Sequence, residues 1–307
     1  MQEIFAPSLP LPRELQELPT IIAEPWMSLE GGDPLLEGPA FDRKGNLFVT
    51  RPTHGEIVRI APDGQKDTVF SRPGFMLNGT AFHKDGRLYA GCLSGELLIL
   101  NTESGEYVAP KPIFEGMPLS INDLVFDDAG RLFVTDYKGV YGCAMGGVYC
   151  LSEEGEILCK TAGGLVSPNG ISLSPDKRTL WVSETKENTV LSISLGPDGM
   201  TPDFITGVTC AYRSVGCAGP DSNKVDAAGN LYQCIMGQGR IVVLNRTGVP
   251  IANVLIKGRD EGFGLMSANL AFKPGTKEGF VTAGGRGGAQ IFRFEGLAEG
   301  LQLFSHS

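Results

Sequence analysis

Histidine is scarce: His54, His83 and His306 are the only three in 307 residues, which gives no basis for a metal centre built on several imidazoles. The seven cysteines include no C-x-x-C pair, and Cys143/Cys150 and Cys210/Cys217 stand seven apart, too far for a zinc knuckle. An odd number of scattered cysteines reads as reduced, mostly buried thiols in a cytosolic protein. Lysine and arginine form no cluster, and the formal net charge is −9, so neither nucleic acid nor an anionic membrane is an expected partner. No run of 18 apolar residues exists to span a bilayer. The opening "MQEIFAPSLPLPRELQ" has no basic stretch followed by an apolar one, so no signal peptide is expected and the cytoplasm is the expected compartment. Amphipathic helical stretches are equally rare. "RELQELPTII" is the best of them, and Pro19 interrupts it.

Glycine (42) and proline (20) are plentiful, scattered between apolar runs as turn punctuation is, and hydrophobic residues make up 42%. The length allows two ordinary domains or one large all-β or α/β-barrel domain. A repeat decides between them. "PAFDRKGNLFVT" (39–50), "TAFHKDGRLYAG" (80–91), "DLVFDDAGRLFVT" (123–135), "ISLSPDKRTLWVS" (171–183), "KVDAAGNLYQC" (224–234) and "NLAFKPGTKEGFVT" (269–282) each read as strand, tight turn, strand. A third strand follows each: "GEIVRI", "GELLIL", "GGVYCL", "NTVLSI", "GRIVVL" and "AQIFRF". The apolar residues before the turns are Phe41, Phe82, Phe126, Leu173, Val225 and Phe272, spaced 41, 44, 47, 52 and 47 apart. A period in the forties with at least three strands per unit predicts a β-propeller. The chain, residues 1–307, is therefore expected to be one all-β domain, a six-bladed β-propeller. Its N-terminal segment 1–35 is expected to supply an outer strand that closes the ring.

Counting back four from each apolar marker gives Glu37, Asn78, Asn122, Asn169, Asp221 and Ala268. Five of the six carry a side-chain carbonyl or carboxylate oxygen. Turn preference alone predicts a mixture of Asn, Asp, Gly and Ser at strand starts, and it does not predict Glu37. In a propeller the first strand of each blade lines the central channel, so these positions should form a ring. Two carboxylates and several amides converging there are costly without a compensating cation. An all-oxygen ligand set selects Ca²⁺, or less readily Mg²⁺.

Here the chain resembles the calcium-dependent six-bladed propellers of the senescence-marker-protein/gluconolactonase group, related in fold to diisopropylfluorophosphatase. Within the group it most resembles the drug-responsive lactonase subgroup. The resemblance rests on "AEPWMSL" (23–29), "LEGPAFDRKGNLF" (36–48), "INDLVFDDAGRLFVTDYKG" (121–139), "SPNGISLSPDKRTLWVSET" (167–185), "GPDSNKVDAAGNLY" (219–232), "GQGRIVVLNRTGVPI" (237–251) and "GRDEG" (258–262). It implies that Glu37, Asn122, Asn169 and Asp221 hold a catalytic calcium and that Asp221 also takes part in the chemistry. Asn78 is not a ligand in that pattern and is assigned to the pocket lining. Relatives can carry Asp where this chain has Asn122, which leaves a metal here less neutralised. Some relatives also place His near the sixth inner strand, whereas "EGFGLMSANL" (261–270) has none. Some members bind a second calcium.

The loops expected on the metal face are "TRPTHG" (50–55), "TDYKGVYGCAMGG" (135–147), "SETKEN" (183–188) and "CIMGQG" (234–239). The second is long, and its Tyr137, Tyr141 and Met145 can either form an apolar lid over a substrate or simply pack on the propeller face. "GGRGG" (284–288) lacks the following helix of a phosphate loop and reads as a turn between strands. Three functions fit. A lactone hydrolase would use Ca²⁺ to polarise the ring carbonyl, with Asp221 as general base or nucleophile. A phosphotriesterase would use the same centre on a P=O group. A non-catalytic binding platform would need only a structural calcium. The ring of polar residues favours an enzyme over a platform, and the resemblance implies a small-molecule lactone as its substrate.

Overall fold

The computed structural model describes residues 10–306. The repeat units form antiparallel meanders whose turns are built by one residue each. Asp42, Asp127 and Asp226, directly after three of the apolar markers, each accept two backbone N–H bonds from the residues that follow. Gly45, Gly130 and Gly229 complete those turns in the left-handed region, at φ 82°, 81° and 85°. The expected helix near the start is a single 3₁₀ turn, Arg13–Leu15.

The fold is all-β and propeller-like. Four sheets have four strands each, led by Glu37–Phe41, Leu77–Phe82, Ile121–Phe126 and Pro168–Leu173. The meanders led by Pro220–Val225 and Met266–Phe272 do not stand apart as the repeat predicts, but merge into one eight-stranded sheet. The N-terminal strand Thr20–Ser28 joins them. Its first half pairs in parallel with Pro250–Ile256 and its second half pairs antiparallel with Gln290–Glu295. Thr20–Ser28 is therefore paired on both sides, with a register shift between Pro25 and Met27; residues 1–9 of the segment 1–35 lie outside the described residues. Apolar cores fill the space between consecutive meanders, and the last packs on the first. Phe280 and Ile291 meet Phe41, Leu47 and Val58 there. No helix among the described residues is long and apolar enough to cross a membrane.

All six inner strands carry an irregularity at the same place. Each register shifts by one residue across Glu37–Ala40, Leu77–Thr80, Ile121–Leu124, Pro168–Ile171, Pro220–Asn223 and Ser267–Asn269. Such a β-bulge bends the strand and re-aims its side chains. Side-chain donors from neighbouring strands then fix the bulged backbone. Thr50, Thr135 and Ser183 hydroxyls donate to the carbonyls of Asn78, Asn169 and Asp221 at 2.9, 2.6 and 2.6 Å. Close approach of the inner strands also requires glycine. A Cβ on Gly170 would meet Ser222 Cα at 2.5 Å, Asn223 N at 2.7 Å and the Asp221 carbonyl at 2.8 Å.

Candidate active site

The bulges put the six residues read as a ring out of solvent. Glu37, Asn78, Asn122, Asn169 and Asp221 are buried, as is Ala268. The apolar markers four residues on sit at the opposite end of the inner strands. All six line one cavity of about 600 Å³, capped by the C-terminal stretch 299–306. One strand therefore presents a polar end and an apolar end, and the repeat's four-residue offset is the distance between them.

Two carboxylates share the polar end. Burial pushes the Glu37 carboxyl up to about 7, and Asp123 adds to the shift. Opposing it, Glu37 Oε2 accepts from Asn269 Nδ2 at 3.1 Å and from Gly38 N at 3.0 Å. Asp221 is held well above the usual carboxylate range, first by burial and then by the charge of Glu37. Asn169 and the Ser222 backbone N–H hydrogen-bond it and oppose that rise. The Asp221 carbonyl is anchored separately. Gln233 Nε2 donates to it at 2.7 Å, and Asn223 bridges Gln233 to Ser172.

The donor set fits a hard cation. Among the described residues, the buried side-chain oxygens with no hydrogen-bond partner are those of Asn78, Asn122 and Asn253, and the first two belong to the ring. Orphaned amide oxygens beside two buried carboxylates are expensive unless something positive lies among them. The oxygen of Asn169 accepts only a long 3.4 Å bond from Ser222. Oxygen-only donors of this kind suit Ca²⁺ or Mg²⁺.

The structure places the three loop residues differently. Tyr137 is half-buried and close enough to Asp221 for that charge to raise its phenol further after burial has done so. Tyr141 and Met145 stand in solvent, 80% and 52% exposed. The loop 135–147 presents these two side chains to solvent.

Asp123, Ser222, Asn223 and Asn269 were not singled out by the repeat, yet all are buried at this end, and Lys224 reaches it through a 3.1 Å ion pair with Asp123. The signal was available. "NDLVF" and "DSNKV" carry consecutive polar residues where a strand alternating regularly would carry an apolar one. A bulge accounts for the break in alternation.

A second group, His83, Asp85 and Glu153, brings one imidazole and two carboxylates together away from the ring. Arg87 already holds it, with Nε 2.7 Å from Asp85 and one NH 3.1 Å from Glu153. The buried Cys234 thiol is pushed up by burial and then by Asp221 and Glu37, so it is not a nucleophile here.

The chain is similar to known proteins over most of its length. Residues 35–260 match the SMP-30/Gluconolactonase/LRE-like region. The chain is 36% identical over 302 residues to "Lactonase drp35" of Staphylococcus aureus, covering 94% of this chain and 91% of that one. It is 34% identical over 305 residues to the protein of the same name in Staphylococcus saprophyticus, with coverage of 96% and 93%. Among solved structures, a gluconolactonase from Xanthomonas campestris superposes with a TM-score of 0.71 at 22% identity, covering 86% and 87% of the two chains. A calcium-binding protein, regucalcin, from Agrobacterium tumefaciens gives 0.73 at 20%, covering 92% and 98%. The chain belongs to the SMP-30/gluconolactonase/LRE-like family.

Proposed function

We propose that the chain is a calcium-dependent hydrolase that opens a lactone ring, working as a single six-bladed domain over residues 1–307 in the cytoplasm. The lactonase relatives support lactone hydrolysis as the reaction class. The observation that carries the finer reading is the pairing of two buried carboxylates, Glu37 and Asp221, with the orphaned oxygens of Asn78 and Asn122. Six apolar cores between consecutive meanders support the blade number.

Glu37, Asn122, Asn169 and Asp221 would hold the cation, with Asn78 beside them. Once bound, Ca²⁺ supplies a positive charge that polarises the ring carbonyl and stabilises negative charge developing on its oxygen. Asp221 supplies the base: water adds to the carbonyl carbon and gives a proton to the Asp221 carboxylate. The ring C–O bond then breaks, and the departing oxygen takes a proton to give the hydroxy acid. In the alternative route the Asp221 carboxylate itself attacks the carbonyl carbon, the ring C–O bond breaks with its oxygen taking a proton, and water cleaves the resulting mixed anhydride at the Asp221 acyl carbon. The anchored Asp221 carbonyl limits how far its side chain can drift during either route. Tyr137 keeps its proton and stands at the approach to Asp221.

The test is a hydrolysis screen of γ- and δ-lactones, aromatic lactones and organophosphates, run with Ca²⁺ and with excess chelator. Lactones should be opened, activity should vanish with chelator and return with Ca²⁺. Full activity in thoroughly stripped protein rejects the reading. Turnover of organophosphates alone would make the enzyme a phosphotriesterase.

Cation-free protein offers a separate check. The folded-state carboxyl of Glu37, at about 7, lies above its ordinary value of 4.5. Between those values the folded chain binds more protons than the unfolded one. Stability of the stripped protein is therefore greatest below about pH 4.5 as far as this group is concerned, and is lost as pH rises toward 7. Asp221 acts in the same direction. Chemical denaturation across pH 5–7.5 should show the fall in stripped protein, and a much smaller one in stripped Glu37→Gln. An identical pH trend in both proteins would show that Glu37 does not titrate in this window.

A further inference from the structure

Next to the Glu37/Asp221 pair lie a third carboxylate and a single ammonium. We propose that Lys224, paired with Asp123, sets the charge of this site to match a divalent ion and makes it discriminate against trivalent ones. This rests on the metal reading above and concerns which cation the site accepts.

Lys224 and Asp123 belong to different inner strands, Pro220–Val225 and Ile121–Phe126, yet Nζ lies 3.1 Å from Asp123 Oδ2. The Asp123 side chain is fully buried and that of Lys224 is 18% exposed. Asp123 cannot easily turn away. Its Oδ1 accepts from Leu124 N at 2.9 Å, and its side chain fills the room that Gly79 leaves, where a Cβ would collide with it. The principal charges acting on Glu37 are Asp123 and Lys224, and those acting on Asp221 are Glu37 and Asp123. The four groups form one electrostatic unit.

Glu37, Asp123 and Asp221 carry three negative charges when ionised, and Lys224 returns one. The remainder is two, which one divalent ion cancels. Without the ammonium the remainder is three, which a trivalent ion matches better. In a buried setting an uncompensated unit charge is not diluted by solvent, so the difference is large. Lys224 also lines the apolar cavity at the other end of the inner strands, so its stem separates that cavity from the charged end.

Ca²⁺ and Tb³⁺ affinities of cation-free protein, measured by calorimetry or terbium luminescence with competition, test this without reference to activity. K224M should shift the Tb³⁺/Ca²⁺ preference toward terbium by about tenfold or more. K224R, which keeps the charge, should hold the parent ratio. The double variant D123N/K224M restores a remainder of two and should return toward the parent ratio. D123N alone should move the preference toward calcium, which tests the same charge rule if K224M does not fold. An unchanged ratio in K224M, or a double variant that keeps the K224M shift, overturns the inference while leaving the metal site standing. A parent protein that binds neither ion overturns both.

Discussion

Asp221→Asn should lower kcat for lactone opening by a factor on the order of 10² or more while the protein still binds calcium. The amide keeps one oxygen in nearly the same place, but it can neither accept a proton from water nor attack a carbonyl. A bound dication draws the basicity of Asp221 down, which works against a base. The fold pushes the other way, because burial and the neighbouring Glu37 both raise that carboxyl. The two influences oppose each other at one side chain, and this lets Asp221 be a ligand and still take a proton. Single turnover in ¹⁸O-labelled water separates the two routes. Direct attack puts unlabelled enzyme oxygen into the first product, whereas water activation puts label there at once. Asp221→Asn that binds calcium and turns over at the parent rate would reduce Asp221 to a ligand.

The second large effect should come from a residue with no side chain. Gly170→Ala should destabilise the protein by about 2–3 kcal/mol, because the new methyl meets backbone atoms of the next inner strand rather than a movable side chain. Asn169 and Asp221 flank that contact, so calcium affinity should fall as well. Equilibrium denaturation and a calcium titration measure the two losses. Gly142→Ala provides the control, since nothing lies near its Cβ position, although its φ of 80° carries a backbone cost of its own. Wild-type stability and calcium affinity in Gly170→Ala would mean that the inner strands can move apart freely.

Much of this was legible from spacing. Phe41, Phe82, Phe126, Leu173, Val225 and Phe272 repeat because each ends an inner strand, and the structure gathers all six around one cavity. Counting back from them found a set of buried positions because every inner strand carries a bulge within a few residues of its marker. Asp123 and Lys224 were missed for a related reason. A bulge breaks strict alternation, so Asp123, directly after the ring position Asn122, stays inside as well, and an offset of four finds only one of the two; Lys224, three residues after Asp221, joins the site only through its ion pair with Asp123. Nor could spacing show that Thr20–Ser28 joins two meanders, since each half of that strand pairs with a different partner more than 220 residues along the chain. The exposure of Tyr141 and Met145 was not legible either, because it depends on how a loop lies, which composition does not fix.

That strand makes the order of synthesis matter. Thr20–Ser28 leaves the ribosome well before its partners at Asn253–Ile256 and Gln290–Arg293. Until they emerge, the early meanders exist as an open arc with bare strand edges at both ends, the arrangement most prone to pairing with another chain. The long loop that must close before this pairing forms makes it slow relative to the local hairpins. Nascent chains halted before residue 250 should therefore depend on chaperones far more than the finished protein does, and lengthening the chain past residue 295 should relieve that dependence in a single step.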